Sequence, residues 1–248
     1  PIVGTVRYDA GGAVQEYGSD DYVNLEINHG GSSTLSAALG VTGDLTISGG
    51  ELDTASGGPF DVTVGGDWTN SGTYTSGANL TTFTGAAVSA GTVTLTTGGT
   101  GTGKDFNNLT FNDAGDGDTF ELAGGLDVNG NLTVSSGTLE MNDGTQRSAN
   151  VAGDVDFSGG SLNQPGALTF DGSGAQQLTP NNQTFADITI SNTGPRTVTF
   201  VGTSTVDDLT VGSGETLLMD ASVAGADVTI NVTDTSTVTN NGTVSLND

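Results

Sequence analysis

Residues 128–141 read VNGNLTVSSGTLEM, and two features of this stretch decide the fold. Leu132-Thr133-Val134 alternates apolar and polar side chains, and Thr138-Leu139-Glu140 does the same with its apolar residue in the middle. That period of two turns one face of an extended strand toward a core and the other toward water. Each run is short, and Asn-Gly or Ser-Gly interrupts it with backbone that can take positive φ at a sharp corner. The phrase V-x-G-[DN]-L-T-[VI]-x-x-G occurs at Val41 and Val128, with looser echoes over Val62 to Trp68 and Val151 to Phe157. Phrase and echo lie about 20 residues apart, the length of one coil of a parallel β-solenoid. Stacked coils cover one another's apolar residues, so small side chains suffice for a core.

A longer repeat overlies the short one. YVNLEINHGG from Tyr22, FNNLTFNDAG from Phe106 and FADITISNTG from Phe185 align, at spacings of 84 and 79 residues. After them come LGVTGDLTISGGELD from Leu39, LDVNGNLTVSSGTLE from Leu126 and STVDDLTVGSGETLL from Ser204. Before them lie TVRYDAGGAVQ from Thr5, LTTFTGAAVSA from Leu80 and LTFDGSGAQQL from Leu168. This order predicts one continuous solenoid over residues 1–248 with three long repeats, approximately 4–78, 79–166 and 167–248. Its parallel crossovers are expected to be right-handed. The competing all-β reading is a string of β-sandwiches of roughly 80 residues, which would call for longer strands and larger core residues. Helix is not expected, because glycine cuts every window that could carry a 3.6-residue period.

Composition narrows the function. Asp and Glu number 29 against 4 Lys and Arg, a net charge of −25. Arg7, Lys104, Arg147 and Arg196 are too few and too scattered to release counterions from nucleic acid, and an anionic membrane would repel the chain. No stretch is apolar enough to span a membrane as a helix, and no basic, apolar leader opens the sequence. Cysteine is absent, which removes disulfides and thiolate chemistry. Pro1 in place of Met reads as a processed or excised chain.

Phrases such as VNGNLTVSSGTLEM and VGGDWTNSGTYT resemble the repetitive β-solenoid surface proteins of bacteria and archaea, including autotransporter passengers and filamentous-haemagglutinin-like adhesins. The resemblance covers nearly the whole chain. It implies an extracellular stalk, adhesin or fibre, and no catalytic residue to carry over.

Residue by residue, chemistry is thin. His29 sits in NHGG, where a turn is expected, with no nucleophile motif beside it. Asp20-Asp21 and Asp207-Asp208 could be nominated as glycosidase carboxylates, but neighbours on a strand point to opposite faces. DAGDGDTFE gathers Asp113, Asp116, Asp118 and Glu121, hard oxygen ligands of the kind Ca²⁺ takes, in neither the EF-hand nor the β-roll spacing. Thr-x-Thr recurs, as at Thr82-Phe83-Thr84 and Thr197-Val198-Thr199, a pattern that could face ice but also one that strands favour for its own sake. The six N-x-[ST] sequons are what this much Asn, Ser and Thr provides. Trp68, Tyr8, Tyr17, Tyr22 and Tyr74 could stack sugars or pack a core, and packing is the simpler reading.

The function expected is therefore structural: an extracellular, acidic rod or fibre subunit, without enzyme activity, that self-associates end to end through open strand edges. Pro1, Ile2 and Val3 at one end, and Val244 and Leu246 at the other, are the candidate assembly residues. A monomeric adhesin for glycan or ice is the alternative, and a carbohydrate-active enzyme the third.

Overall fold

The computed structural model describes residues 2–13, 22–85, 90–113, 115, 117–191, 194–224, 228–233 and 237–247. The chain is a parallel β-solenoid. Each turn lays one strand on each of three strips, as Thr119–Leu122, Leu126–Val128 and Leu132–Ser136 do within a single turn. The next turn repeats the order with Thr138–Glu140, Ser148–Val151 and Val155–Asp156, each paired in parallel to its counterpart below. Parallel pairing is incompatible with the alternative of tandem sandwiches, whose sheets are antiparallel. The one helical turn among the described residues is Ala221–Ala224.

The third strip shows the construction best. Leu39, Val62, Thr81, Leu109, Leu132, Val155, Leu178, Phe200, Met219 and Leu246 stand in a single file, each in register with the next. The file makes nine steps, at about 4.8 Å per step roughly 43 Å of rod. Its members from Leu39 to Phe200 are buried. On the second strip Val128, Val151, Phe170, Ile190 and Val211 form a like file, also buried. Each turn thus lends its apolar face to its neighbours, which is why short strands with few large side chains close a core.

The core widens in its middle turns. Trp68 is 1% exposed and Tyr74 fully buried, their rings edge to face at 5.0 Å. Phe83, Phe106, Phe111 and Phe120 continue the aromatic cluster. The Tyr74 hydroxyl is paired with Thr81 Oγ1 at 2.9 Å and accepts from Asn79 Nδ2 at 2.9 Å. Burial pushes the Tyr74 phenol up, against the opposing pull of those hydrogen bonds.

The three aligned long segments sit on different strips. Leu25 of the first belongs to the first strip, in register with Leu45. Leu109 of the second belongs to the third strip, and Ile188 of the third belongs to the second strip. The long spacing is therefore not a whole number of turns.

Several strands run longer than the short alternating stretches suggest. Tyr22–Thr34, Leu45–Asp53 and Thr203–Val211 stay extended around a corner between the first and second strips, and between the first two of these the register slips there.

Candidate functional site

Two places on the surface depart from the repeating pattern. The first is a groove at the corner between the first and second strips, about 780 Å³ in volume and lined by Gly30, Gly31, Ser32, Gly49, Gly50, Glu51, Ser71, Gly72 and Thr73. Its floor is bare main chain for a steric reason. A Cβ on Gly50, whose φ is +68°, would lie 2.2 Å from the His29 carbonyl oxygen, and one on Gly72 would lie 2.6 Å from that of Gly50. One wall is a register column of Ser32, Glu51 and Thr73. Glu51 accepts a hydrogen bond from Thr75 Oγ1. At the far end Lys104 Nζ donates to the carbonyls of Asn70 at 2.9 Å and Gly72 at 2.5 Å, while burial pushes its amine down. The sequence signal for this groove is the recurrence of Gly30-Gly31, Gly49-Gly50 and Ser71-Gly72 at the coil period, where each pair by itself reads as a turn.

His29 lies in the strand Tyr22–Thr34 at the edge of this groove, not in a turn. Its Nδ1 accepts from the Gly31 N–H at 2.9 Å, so the neutral ring carries its proton on Nε2 and donates to Ser33 Oγ at 2.7 Å. That tautomer cannot take a proton from Ser33, and Ser33 is buried. The pair is a structural latch.

The second departure is the last turn. Leu246 ends the third-strip file 76% exposed, although it pairs with Met219 as every earlier member pairs with the one before. Val244, in register with Leu217, is 44% exposed, and Val238, in register with Leu209 on the second strip, is exposed as well. At the other end the strand Ile2–Tyr8 pairs with the strand that begins at Tyr22. It carries Ile2 and Val3, while Pro1 lies outside the described residues.

The acidic cluster opens out. Asp113 turns back on its own loop and accepts from the Gly115 and Gly117 N–H groups at 3.2 and 2.9 Å. Asp118 points inward, buried, with Oδ1 accepting from the Gly91 N–H at 2.6 Å and Oδ2 without a partner among the described residues. Glu121 sits between the buried Phe120 and Leu122 and so faces outward, beside Thr94 and Glu140 of the neighbouring turns. Asp116 lies outside the described residues, and among those described no three acidic or histidine side chains converge on a metal position. Of the paired acids, Asp208 accepts the Thr237 N–H at 2.6 Å and Asp207 the Thr233 hydroxyl at 3.1 Å. Asp20, Asp21 and Tyr17 are outside the described residues.

Trp68, Tyr74 and Tyr22 are core residues, which removes them as a platform for sugars. Thr63, Thr82, Thr110 and Thr133 do form an outward file in register, one residue wide. The flanking file breaks from Thr to Gly65 on one turn and to Asn112 on another.

Comparison with family models, with curated proteins and with solved structures finds no match to this chain.

Proposed function

We propose that this chain is an extracellular, non-catalytic structural module, a length of rigid acidic rod whose last described turn receives a further parallel coil, from a second copy or from more of a longer parent chain. The observation that carries the reading is the third-strip file, buried from Leu39 to Phe200 and ending in Leu246 with most of its surface in water. A leucine placed in core register needs a covering turn, and the outer edge of Thr243–Asn247, unpaired among the described residues, offers the main-chain groups to dock one. The net charge of −25 opposes contact between copies, so assembly belongs to conditions that screen it, at a Debye length of about 8 Å or less, or to calcium.

Negative-stain electron microscopy and sedimentation of the purified chain test this, in low salt, in physiological salt, with calcium and with chelator. Filaments of constant width in screened conditions, shortened to single rods by Leu246→Asp, are expected. Dispersed rods under every condition would overturn end-to-end assembly and leave a monomeric binding module as the reading.

A further inference from the structure

We propose that the glycine-floored groove is a binding site for a neutral, linear saccharide chain laid along the rod axis. The concavity is of the size that holds small ligands, within roughly 300 to 1,000 Å³. Its wall repeats one polar side chain per turn, Ser32 then Glu51 then Thr73, in strict register at about 4.8 Å per step. A chain of sugar rings running across the turns meets one of these groups at each ring and lies flat on the peptide planes of Gly49, Gly50 and Gly72.

The lining also decides the chemistry of the occupant. Hydroxyls and peptide groups both donate and accept, which suits a ligand made of hydroxyls. Ser32 Oγ is buried and has no partner among the described residues, a donor and acceptor that a ligand hydroxyl would satisfy. Among the described lining residues Glu51 is the one charged group, Lys104 at the far end is held by main-chain carbonyls, and the whole chain is strongly acidic, so an anionic polymer is repelled. A peptide strand would need side-chain pockets for its specificity, and the groove offers main chain and small polar groups in their place. Lys104, bound to Asn70 and Gly72, stops the groove at its fourth turn and limits the ligand to a few rings.

The site needs no self-assembly, so Leu246→Asp should bind sugar like the wild type. Titration calorimetry with cellohexaose and with chitohexaose, followed by thermal melting of each variant, tests the proposal. One of the two sugars is expected to bind. Glu51→Gln and Ser71→Phe, the latter filling the groove from an exposed position, should each weaken it at least tenfold with an unchanged melt. Absence of binding by both sugars would overturn the proposal, and so would an affinity that Ser71→Phe leaves intact while Glu51→Gln does too. A lysine-rich peptide that binds in their place, and is lost on Ser71→Phe, would reassign the groove to a basic protein partner.

Discussion

Asn131 Oδ1 accepts the main-chain N–H of Asp154 at 2.9 Å, one full turn further along the solenoid. The same contact links Asn108 to Asn131 below it and Asp154 to Gln177 above it, so the corner between the second and third strips carries a ladder of side-chain acceptors. Another corner does likewise, from Asn24 to Asp44 to Asp67 to Thr94. The glycine before each linking residue makes room for it. A Cβ on Gly43, Gly66, Gly130 or Gly153 would lie within 2.5 Å of the Asn or Asp oxygen of the turn below. The Gly-[Asp/Asn] pair is thus a two-residue lock: glycine admits the oxygen, and the next residue both donates to it and offers its own oxygen to the following turn.

Gly153→Ala should destabilise the rod by about 3 kcal/mol or more, since the new Cβ meets Asn131 Oδ1 at 2.4 Å and the Gly130 main chain at 2.5 Å. Adding Asn131→Ala should rescue little, because the main-chain clash remains. Asn131→Ala alone should cost about 1 kcal/mol, the net worth of one hydrogen bond. Asn131→Asp should be close to neutral, as Asp44, Asp67 and Asp154 already serve in this position. Urea unfolding of the four variants gives the ranking.

The strands and the coil were legible because the period of two and the glycine punctuation are local. Leu132, Val134 and Leu139 are buried as their alternation requires. The sides of the rod were not legible. The aligned segments at Tyr22, Phe106 and Phe185 are the same corner-and-strand unit, and that unit fits any corner, so sequence likeness does not say which strip it lies on. The groove escaped for a related reason. Gly30-Gly31 ends a strand when read alone, but stacked on Gly49-Gly50 it lets the backbone stay extended and leaves a hollow. The exposure of Leu246 was open to view only as an edge residue, because its core register comes from Met219, 27 positions earlier.

Removing the Tyr74 hydroxyl tests the polar knot in the core. Tyr74→Phe keeps the ring against Trp68 but strands Asn79 Nδ2 and leaves Thr81 without its partner in a buried place. A loss of about 1 to 3 kcal/mol is expected, the cost of unsatisfied buried groups. Tyr74→Phe with Asn79→Leu and Thr81→Val should recover part of it, measured by thermal unfolding. If the single variant is as stable as the wild type, the knot contributes nothing.

Lys104→Met should loosen the segment that crosses the groove end. The ammonium holds two main-chain oxygens of the preceding turn and the side-chain oxygen of Asn70, at 3.3 Å, and no other described side chain takes its place. Bonds to a charged donor are worth about 1.5 to 3 kcal/mol, reduced here because the group is only partly buried. Faster amide hydrogen exchange over residues 98–105, with the distant strip around Val198 unchanged, is the expected signature.

Stability should rise on mild acidification. Burial, and then the charges of Asp171 and Asp105, push the Asp127 carboxyl up, and burial does the same to Asp171. Asp187 is raised by burial and by Asp208 and Asp207. A carboxyl raised in the folded state holds its proton there more tightly than in the unfolded chain, so its ionisation penalty is fully present at neutral pH. That penalty is relieved as pH falls through the raised folded pKa toward the ordinary carboxylate range near about 4. Asp53 works in the opposite direction. Burial pushes it up, but hydrogen bonds from Ser56 and Ala55 outweigh that and hold it low, so its contribution is lost only under more acidic conditions. The melting temperature should therefore peak on the acid side of neutrality. Asp127→Asn, which continues the polar file with Asn150 beside it, should raise the melting temperature at pH 7 and lose that advantage at the peak. A variant that melts like the wild type at both pH values would show that Asp127 carries no ionisation penalty.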